Sequence, residues 1–187
     1  MIIIANWPNS KDRPKKPLLY ADETMTGFEY QVAGNLLYSD YISEGLAVVK
    51  AIRDRYDGKK RNPYNEIEWG NHYVRTMSNY SSLLALSGFQ YLGSKSAVKI
   101  NPKVYKDNFK VFFSVESGWG MVGQKNNKNN SVFFIDVRSG TLKISQVLIK
   151  KKYPVKKVFS EINGKRKEID YTTEKGNIII NLNKEIL

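Results

Sequence analysis

The sequence contains no cysteine and only one histidine, His72. Without cysteine, the chain can form neither a disulfide framework nor a thiolate metal site. A single histidine supplies no cluster of metal ligands at a recognisable spacing, and we therefore expect no metal and no other cofactor. Nothing in this composition requires an oxidising compartment, so we expect a cytoplasmic location.

Long hydrophobic runs are also absent. The N-terminal run MIII is too short for the apolar part of a secretory signal, and no stretch approaches the roughly 18 apolar residues of a membrane span. We therefore expect no integral membrane segment. The chain has 187 residues, of which 41% are hydrophobic and 12% aromatic, so it can bury a core in one domain or two small ones.

Acidic residues are in the minority. Lys and Arg number 30 and Asp and Glu 18, which gives a formal net charge of +12, as in many proteins that bind nucleic acid or anionic membranes. The basic residues are, however, scattered over several turns and strand ends, in RPKK, DGKKR, IKKKYPVKK and GKRK, and no nucleic-acid-binding motif accompanies them. This distribution favours a solvated surface and predicts no nucleic-acid partner, with an anion-binding surface as the alternative.

The first half of the chain has helical periodicity. It predicts helices over about 26–38, 41–57 and 70–87, with Gly58 and Gly88 as C-terminal stops after the second and the third. Three helices joined by short loops would pack antiparallel as hairpins.

The first of these helices has a recognisable start. Thr26 and Glu29, three residues apart, form the capping-box pattern, in which two side chains bond free amides of the first turn. Phe28, Val32 and Leu36 follow one another at four-residue spacing, which predicts that they share one apolar face.

After Gly88 the pattern changes to alternation and β-branched runs, which predicts an antiparallel β region. Asn163-Gly164, between two alternating segments, is the strongest hairpin signal in the chain. The polar segment GQKNNKNNS, residues 123–131, predicts a mobile loop between strands. We expect two domains, with the helices in 1–100 and a β tail in 101–187.

The segment RNPYNEIEWGNHYVR, residues 61–75, concentrates polar chemistry just before the third helix. On a helix that begins near Glu68, the side chains of Glu68, His72 and Arg75 would share one face, and Asn71 would lie beside Arg75. Such a group can bracket a polyhydroxylated ligand, because carboxylates accept hydrogen bonds from sugar hydroxyls and arginine donates them. On spacing alone, an ion-pair and capping network that fixes the start of the helix is the favoured interpretation.

Three stretches in order along the chain resemble one enzyme family. The stretches TGFEYQVAGNLLY, EGLAVVKAIRDRYDG and RYDGKKRNPYNEIEWGNHYVRTM, with LLALSGF after them, are similar to the C-terminal part of the catalytic domain of glycoside hydrolase family 116. The resemblance covers roughly residues 10–100. This family contains β-glucosidases and the non-lysosomal bile-acid β-glucosidase, which is a glucosylceramidase. Met25 and Trp69 stand where the family usually carries Trp and Cys.

The resemblance implies an α+β fold, with helical hairpins from the end of a six-hairpin (α/α) toroid followed by an antiparallel β-sandwich-like tail. It also implies a retaining glycosidase that hydrolyses O-glycosyl bonds, with a β-glucoside or glucosylceramide-like substrate. The family's two catalytic carboxyl groups belong to earlier polypeptide, so we expect this chain to be a C-terminal fragment that is inactive without the N-terminal part of the same enzyme.

The same resemblance implies which residues bind substrate. The glutamate and arginine that match Glu66 and Arg75 are expected to hold glucose hydroxyls remote from the scissile bond, where binding energy is converted into rate. Glu68, Asn71 and His72 are further substrate-binding candidates, with a supporting structural role as the alternative. No catalytic residue is expected in this chain.

A non-catalytic carbohydrate-binding module built on the β half is the alternative function. Trp119, in ESGWGMVG, would then serve as a platform for a sugar ring, and Gly118 and Gly120 would let the backbone approach the ligand. A turn with a core-packed tryptophan is the competing structural interpretation of the same residues.

Overall fold

The structure, a computed structural model, describes residues 7, 12–16, 20–21, 23–68, 70, 73, 75–128, 130–151 and 154–186, of which 183–186 are described by their backbone alone. The chain divides between Leu86 and Ser87 into two compact units. We call them the helical unit, residues 1–86, and the β unit, residues 87–187.

The helical unit contains two longer helices and a shorter third one. Helix α1 spans Thr26–Tyr38, as predicted, and α2 spans Ile42–Arg53. A 3₁₀-helix, Arg75–Asn79, leads directly into α3, Tyr80–Ser87, whose last residue belongs to the β unit. The predicted helix over 70–87 is therefore α-helical only in its second half.

Helix α2 ends before the predicted stop at Gly58 because its hydrogen bonding tightens. The Arg55 amide donates to the Ile52 carbonyl and the Tyr56 amide to that of Arg53, so the i→i−4 pattern gives way to three-residue turns. These turns direct the chain into the loop 54–68, which carries two of the glutamates described below.

The buried face of α1 differs from the predicted one. Phe28 and Val32 are exposed, and the face that packs inward carries Tyr30, Ala33 and Leu37. Gly45 of α2 makes close helix packing possible, because a Cβ there would lie 2.7 Å from Cγ of Leu37. The core of the unit is a cluster of Tyr30, Ile52 and Tyr56, with Val48 and Val49 packed against it.

The β unit contains ten strands among its described residues: β1 Gln90–Leu92, β2 Ala97–Ile100, β3 Asn108–Val115, β4 Gly118–Asn126, β5 Ser131–Gly140, β6 Lys143–Lys150, β7 Val158–Ile162, β8 Lys165–Ile169, β9 Tyr171–Glu174 and β10 Asn177–Ile186. A five-stranded sheet has the order β1-β2-β6-β10-β9, a three-stranded sheet the order β3-β4-β5, and β7 and β8 form a two-stranded sheet. All pairs are antiparallel except β2 with β6, which is parallel.

The predicted fold class is wrong. In the described part of the chain, three α-helices accompany ten strands in three sheets, so the protein is mostly β with a small helical part. It is not the end of a helical-hairpin toroid with an antiparallel sandwich-like tail. Two physical causes are visible: the second and third helices are shorter than their apolar periodicity indicates, and the five-stranded sheet contains a parallel pair that no local pattern reveals.

Strand β4 was not predicted, because its glycines resemble a turn. A Cβ on Gly120 would lie 2.0 Å from the Asp136 carbonyl oxygen, and one on Gly123 would lie 2.2 Å from that of Phe109, so both sites require glycine for close strand approach. The register with β5 shifts between Trp119 and Gly120, which marks a bulge. The predicted loop over 123–131 is therefore wrong in its first part, which continues β4 to Asn126.

The hairpin at Asn163-Gly164 is confirmed. Strands β7 and β8 pair in antiparallel register from Val158 with Ile169 to Ile162 with Lys165. The φ angles of Asn163 and Gly164 are 51° and 75°, and two consecutive positive values are the requirement of the tight turn that Asn-Gly favours.

Candidate functional site

Three buried glutamates of the helical unit each form an ion pair with an arginine. The glutamates are only 2%, 6% and 1% exposed, whereas the arginine side chains reach toward the surface. The pairs are Glu29 with Arg55, Glu66 with Arg53, and Glu68 with Arg75. Burying a carboxylate is costly unless a partner compensates its charge, so these pairs are the dominant electrostatic feature of the unit.

Glu66 uses its two carboxylate oxygens differently. Oε1 accepts hydrogen bonds from the Tyr30 hydroxyl at 3.0 Å and from Nη1 of Arg53 at 2.5 Å. Oε2 is buried and has no hydrogen-bond partner among the described residues. Both donors therefore converge on one oxygen, and the other retains its acceptor capacity.

The environment keeps the Tyr30 hydroxyl protonated and Arg53 charged. The pKa of Tyr30 is raised from 10.0 to about 12, chiefly by burial and also by the neighbouring Glu66 carboxylate, while Arg53 acts in the opposite direction. Hydrogen bonding to Tyr30, and after it the Glu66 carboxylate, raises the pKa of Arg53. Tyr30 therefore acts toward Glu66 as a hydrogen-bond donor throughout the physiological range.

Local turn chemistry shapes the loop that carries Glu66. Oδ1 of Asn62, the residue before Pro63, accepts a hydrogen bond from the Tyr64 amide at 2.9 Å, which fixes a turn at this point. The Tyr56 hydroxyl accepts one from the Ile67 amide at 3.2 Å, which ties the loop to the core. The predicted helix start near Glu68 is wrong, because residues 65–68 are not helical and the 3₁₀-helix begins at Arg75.

Glu68 caps the N-terminus of α1. Its Oε2 accepts a hydrogen bond from the Gly27 amide at 2.6 Å and lies 3.5 Å from the Thr26 hydroxyl. The N-cap residue itself, Met25, is buried and forms no side-chain capping bond. The predicted capping box is therefore wrong: the side chain of Glu29 pairs with an arginine, and a glutamate 41 residues away in sequence satisfies the helix start.

Arg75 lies beside this cap. Its Nε is 3.3 Å from Oε1 of Glu68, close enough for an ion pair but without hydrogen-bond geometry, so the attraction is chiefly between charges. The guanidinium carbon lies 4.8 Å from the ring centre of Tyr73 and 5.4 Å from that of Phe28. A hydrogen bond to the Tyr73 hydroxyl raises the pKa of Arg75. Gly27 makes room for the arginine, since a Cβ there would lie 2.6 Å from that of Arg75.

The structure brings three of the five candidate residues to α1. Glu66 is held at Tyr30, and Glu68 and Arg75 are held at Gly27, three residues earlier on the same helix. That spacing corresponds to about 4.5 Å along the helix axis. The other two candidates, Asn71 and His72, lie outside the described residues, as does Trp69.

The partners of Glu66 were not predicted from the sequence. Tyr30 and Arg53 lie 36 and 13 residues away from Glu66, and both sit in segments predicted simply as helix. The only available signal was the cluster of charges in AIRDRYDG, which places arginines just where α2 ends. It could have suggested cations near the loop, but not which glutamate each one contacts.

We expect Glu68→Ala to lower the free energy of unfolding by roughly 2 kcal/mol, because α1 loses its cap and Arg75 its counter-charge. Urea unfolding measures this loss, and amide exchange at Gly27 should accelerate more than exchange in the middle of α1. Glu44→Ala is the control, since Glu44 is an exposed glutamate at the start of α2 that accepts a hydrogen bond from the neighbouring Ser43 hydroxyl. Unchanged exchange at Gly27 in the Glu68 variant would contradict the capping role.

The stability of the protein should fall in alkali through Tyr30. Unfolded Tyr30 loses its proton near pH 10.0, while the folded residue keeps its proton to about pH 12, so its contribution is complete below pH 10.0 and is lost as pH rises to about 12. Relative to Tyr30→Phe, the wild-type free energy of unfolding should decline by up to about 1.4 kcal/mol per pH unit in this window. Urea unfolding at stepped pH checks this, with Tyr64→Phe as a fully solvated control. Parallel pH curves for wild type and Tyr30→Phe would refute it.

The described part of the chain holds no group of three or more His, Asp and Glu side chains that could bind a metal ion. No helix among the same residues is both long enough and apolar enough to cross a membrane. In comparisons with known proteins, the sequence matches no protein-family model and no curated protein.

Proposed function

We propose that the helical unit supplies the glucosyl-binding part of a retaining β-glucosidase-like glycoside hydrolase. The two catalytic carboxyl groups of that enzyme would belong to polypeptide outside these 187 residues, and the substrate would be a β-glucoside or a glucosylceramide-like lipid. The observation that carries the proposal is the buried carboxylate of Glu66, which has one oxygen engaged by two protein donors and the other without a partner in the described residues.

A buried acceptor without a donor costs free energy, and natural proteins usually retain one only where something else satisfies it. A sugar hydroxyl is a suitable donor, because it is neutral and can donate a hydrogen bond to a carboxylate oxygen. Arg53 balances the charge of Glu66 through the opposite oxygen. The second oxygen therefore keeps its acceptor capacity while the first keeps its protein contacts, and a ligand hydroxyl would reach it once the side chains that bury it move aside.

Arg75, which lies beside α1 at Gly27, offers complementary chemistry. Its guanidinium can donate several hydrogen bonds to sugar oxygens, whereas Glu66 can only accept them. The rings of Phe28 and Tyr73, both exposed, flank the guanidinium and present apolar surface of the kind that packs against the C–H face of a pyranose. Acceptor, donor and aromatic surface together form the set that recognition of a hexose requires.

The glutamates are assigned to binding and not to bond cleavage. Retaining hydrolysis needs one carboxyl as nucleophile and a second as acid and base, about 5 Å apart and free to react. Glu68 is committed to the start of α1, and Glu66 is anchored by Tyr30 and Arg53. Contacts of this kind raise the rate by holding the sugar in a reactive shape, provided that the cleaving groups come from elsewhere.

The observed fold does not support this proposal. The support comes from the residues of the site and from the resemblance of the sequence to the glycoside hydrolase family. A further feature agrees with it. Several large apolar side chains of the helical unit are exposed, including Phe28, Val32, Leu46 and Met77. Exposed apolar side chains such as these are available for packing against further polypeptide.

The proposal predicts that the chain binds methyl β-glucoside and that Glu66→Gln weakens binding by on the order of tenfold, because a hydrogen bond to a charged acceptor is lost. Arg75→Lys should weaken binding less, since the lysine ammonium keeps the charge and can still donate hydrogen bonds from one nitrogen. Chemical-shift titration with the glucoside measures both. Glu29→Gln is the matched control, as Glu29 is equally buried and paired with an arginine but is not proposed to contact sugar.

Three outcomes would count against this function. The first is the absence of any glucoside binding by the wild-type chain, and the second is an equal loss of binding in the Glu29 and Glu66 variants, which would indicate a general effect on folding. The third is hydrolysis of an aryl β-glucoside by the chain alone that Glu66→Gln abolishes, since we expect no hydrolysis without the missing carboxyl groups.

A second candidate function, polysaccharide binding by the β unit, is favoured by one face of its three-stranded sheet. The strand register places Phe112, Trp119, Met121 and Phe134 on the same face. Phe112 and Trp119 are 39% and 46% exposed, and their ring centres are 6.0 Å apart. Trp119 therefore lies at the surface, and the interpretation as a core-packed tryptophan does not hold.

Polar groups accompany these rings. Asp136 and Arg138 form an ion pair at 2.7 Å, and both side chains are about half exposed. Gly123 leaves room for the ring of Phe134, because a Cβ on that glycine would lie 2.6 Å from the ring. Adjacent exposed rings next to hydrogen-bonding groups suit the stacking of successive sugar units of a polymer.

We expect Trp119→Ala to abolish retention of the chain on an affinity gel containing a β-glucan, if the β unit binds polysaccharide. Tyr105→Ala is the control, because Tyr105 is a highly exposed aromatic residue of the same unit that precedes β3 and is not part of the three-stranded sheet. Equal retention of wild type and the Trp119 variant would exclude this second function. Glu66→Gln should leave retention unchanged, which separates it from the first.

A further inference from the structure

The positive charge of the protein lies almost entirely in the β unit. Residues 87–187 contain 19 Lys and Arg and 8 Asp and Glu, a formal net charge of +11, whereas residues 1–86 contain 11 and 10. The scattered basic motifs of the sequence therefore belong mainly to one compact unit. A net charge of this size on about one hundred residues produces a strong local field that attracts polyanions.

Much of this charge is concentrated in the region 150–175, which we call the basic region. It contains 9 Lys and Arg and 4 Asp and Glu. At one end, the amide of Lys151 donates to the Gly176 carbonyl, which brings Lys150 and Lys151 next to the β9–β10 turn with its own Lys175. At the other end, the β7–β8 hairpin exposes Lys165, Arg166 and Lys167.

Most lysines of the basic region are not neutralised. Lys157 and Lys175 pair with Glu168 and Glu174. The other exposed lysines of this region form no ion pair within the described residues: Lys150, Lys151, Lys156, Lys165 and Lys167. The segment between the two ends is held in place, because the Tyr171 hydroxyl donates to the Val155 carbonyl at 2.7 Å.

The kind of cation indicates the kind of polyanion. Specific readout of nucleic acid relies on arginine forks and on open aromatic faces for stacking. The β unit has two arginines, and both are engaged: Arg138 pairs with Asp136, and Arg166 lies 4.3 Å from the ring centre of Phe159 and covers it. Lysines act as mobile point charges, which suit a fluid layer of anionic lipid headgroups.

We propose that the basic region docks the protein on an anionic lipid surface. The exposed lysines would contact the headgroups, whereas Phe159 lies on the opposite face of the hairpin from Lys165 and Lys167 and would not face the lipid with them. This inference is independent of the proposed glucosyl site, since it concerns the other unit and makes no use of Glu66 or Arg75.

The test is co-sedimentation of the full chain with vesicles of phosphatidylcholine, with and without phosphatidylserine. We expect binding only to the vesicles that contain phosphatidylserine, and a steep decline of binding with added salt. The triple substitution Lys156→Glu, Lys165→Glu and Lys167→Glu should weaken binding at least about tenfold. The neutral triple, with Gln at the same three positions, should weaken it less.

The control is the triple substitution Lys106→Glu, Lys125→Glu and Lys128→Glu, which changes the net charge equally at exposed lysines outside the basic region. It should bind nearly as well as wild type. Equal weakening by both Glu triples would overturn the proposal, because net charge and not this region would then be responsible. Failure of the wild-type chain to bind either vesicle would overturn it too. Binding to a DNA duplex that phosphatidylserine vesicles do not displace would assign the surface to nucleic acid and overturn it as well.

Discussion

The helical unit depends on the return of the loop 54–68 to α1. This loop brings two buried carboxylates to one helix. Glu68 accepts a hydrogen bond from the Gly27 amide at the start of α1, and Glu66 accepts one from the Tyr30 hydroxyl. Neither glutamate could remain buried without an arginine from another segment, so loop, helices and 3₁₀-helix must be in place together. The geometry around α1 is therefore set by charge compensation as much as by apolar packing.

Glu66 and Glu68 show how neighbouring residues of one loop can serve different purposes. Glu68 has a structural role, because Oε2 satisfies a helix start, while Oε1 has no hydrogen bond in the described residues but lies next to the charge of Arg75. Glu66 is anchored only through one oxygen. Replacing a whole buried ion pair with well-packed hydrocarbon is often neutral or stabilising, so stability by itself does not require the pair of Glu66 with Arg53. Retention of the carboxylate is more readily understood if it binds a ligand.

Features encoded locally could be predicted from the sequence. The hairpin at Asn163-Gly164 follows from residues within a few positions of each other, and the bounds of α1 were predicted although a distant glutamate satisfies its start. The contacts of Glu66 could not be predicted, because its partners Tyr30 and Arg53 are 36 and 13 residues away from it. Strand β4 was missed for a related reason: its glycines are required by neighbouring strands, which a linear pattern cannot show. The parallel β2–β6 pair likewise depends on residues far apart along the chain.

The remote cap on α1 also bears on the order of folding. A helix whose first amides are satisfied by its own N-cap can nucleate early, from contacts close in sequence. Here the amide of Gly27 bonds a side chain 41 residues further along the chain, and closing a segment of that length carries an entropic cost. The first turn of α1 should therefore consolidate late, together with the loop, after the Tyr30, Ile52 and Tyr56 cluster has collapsed.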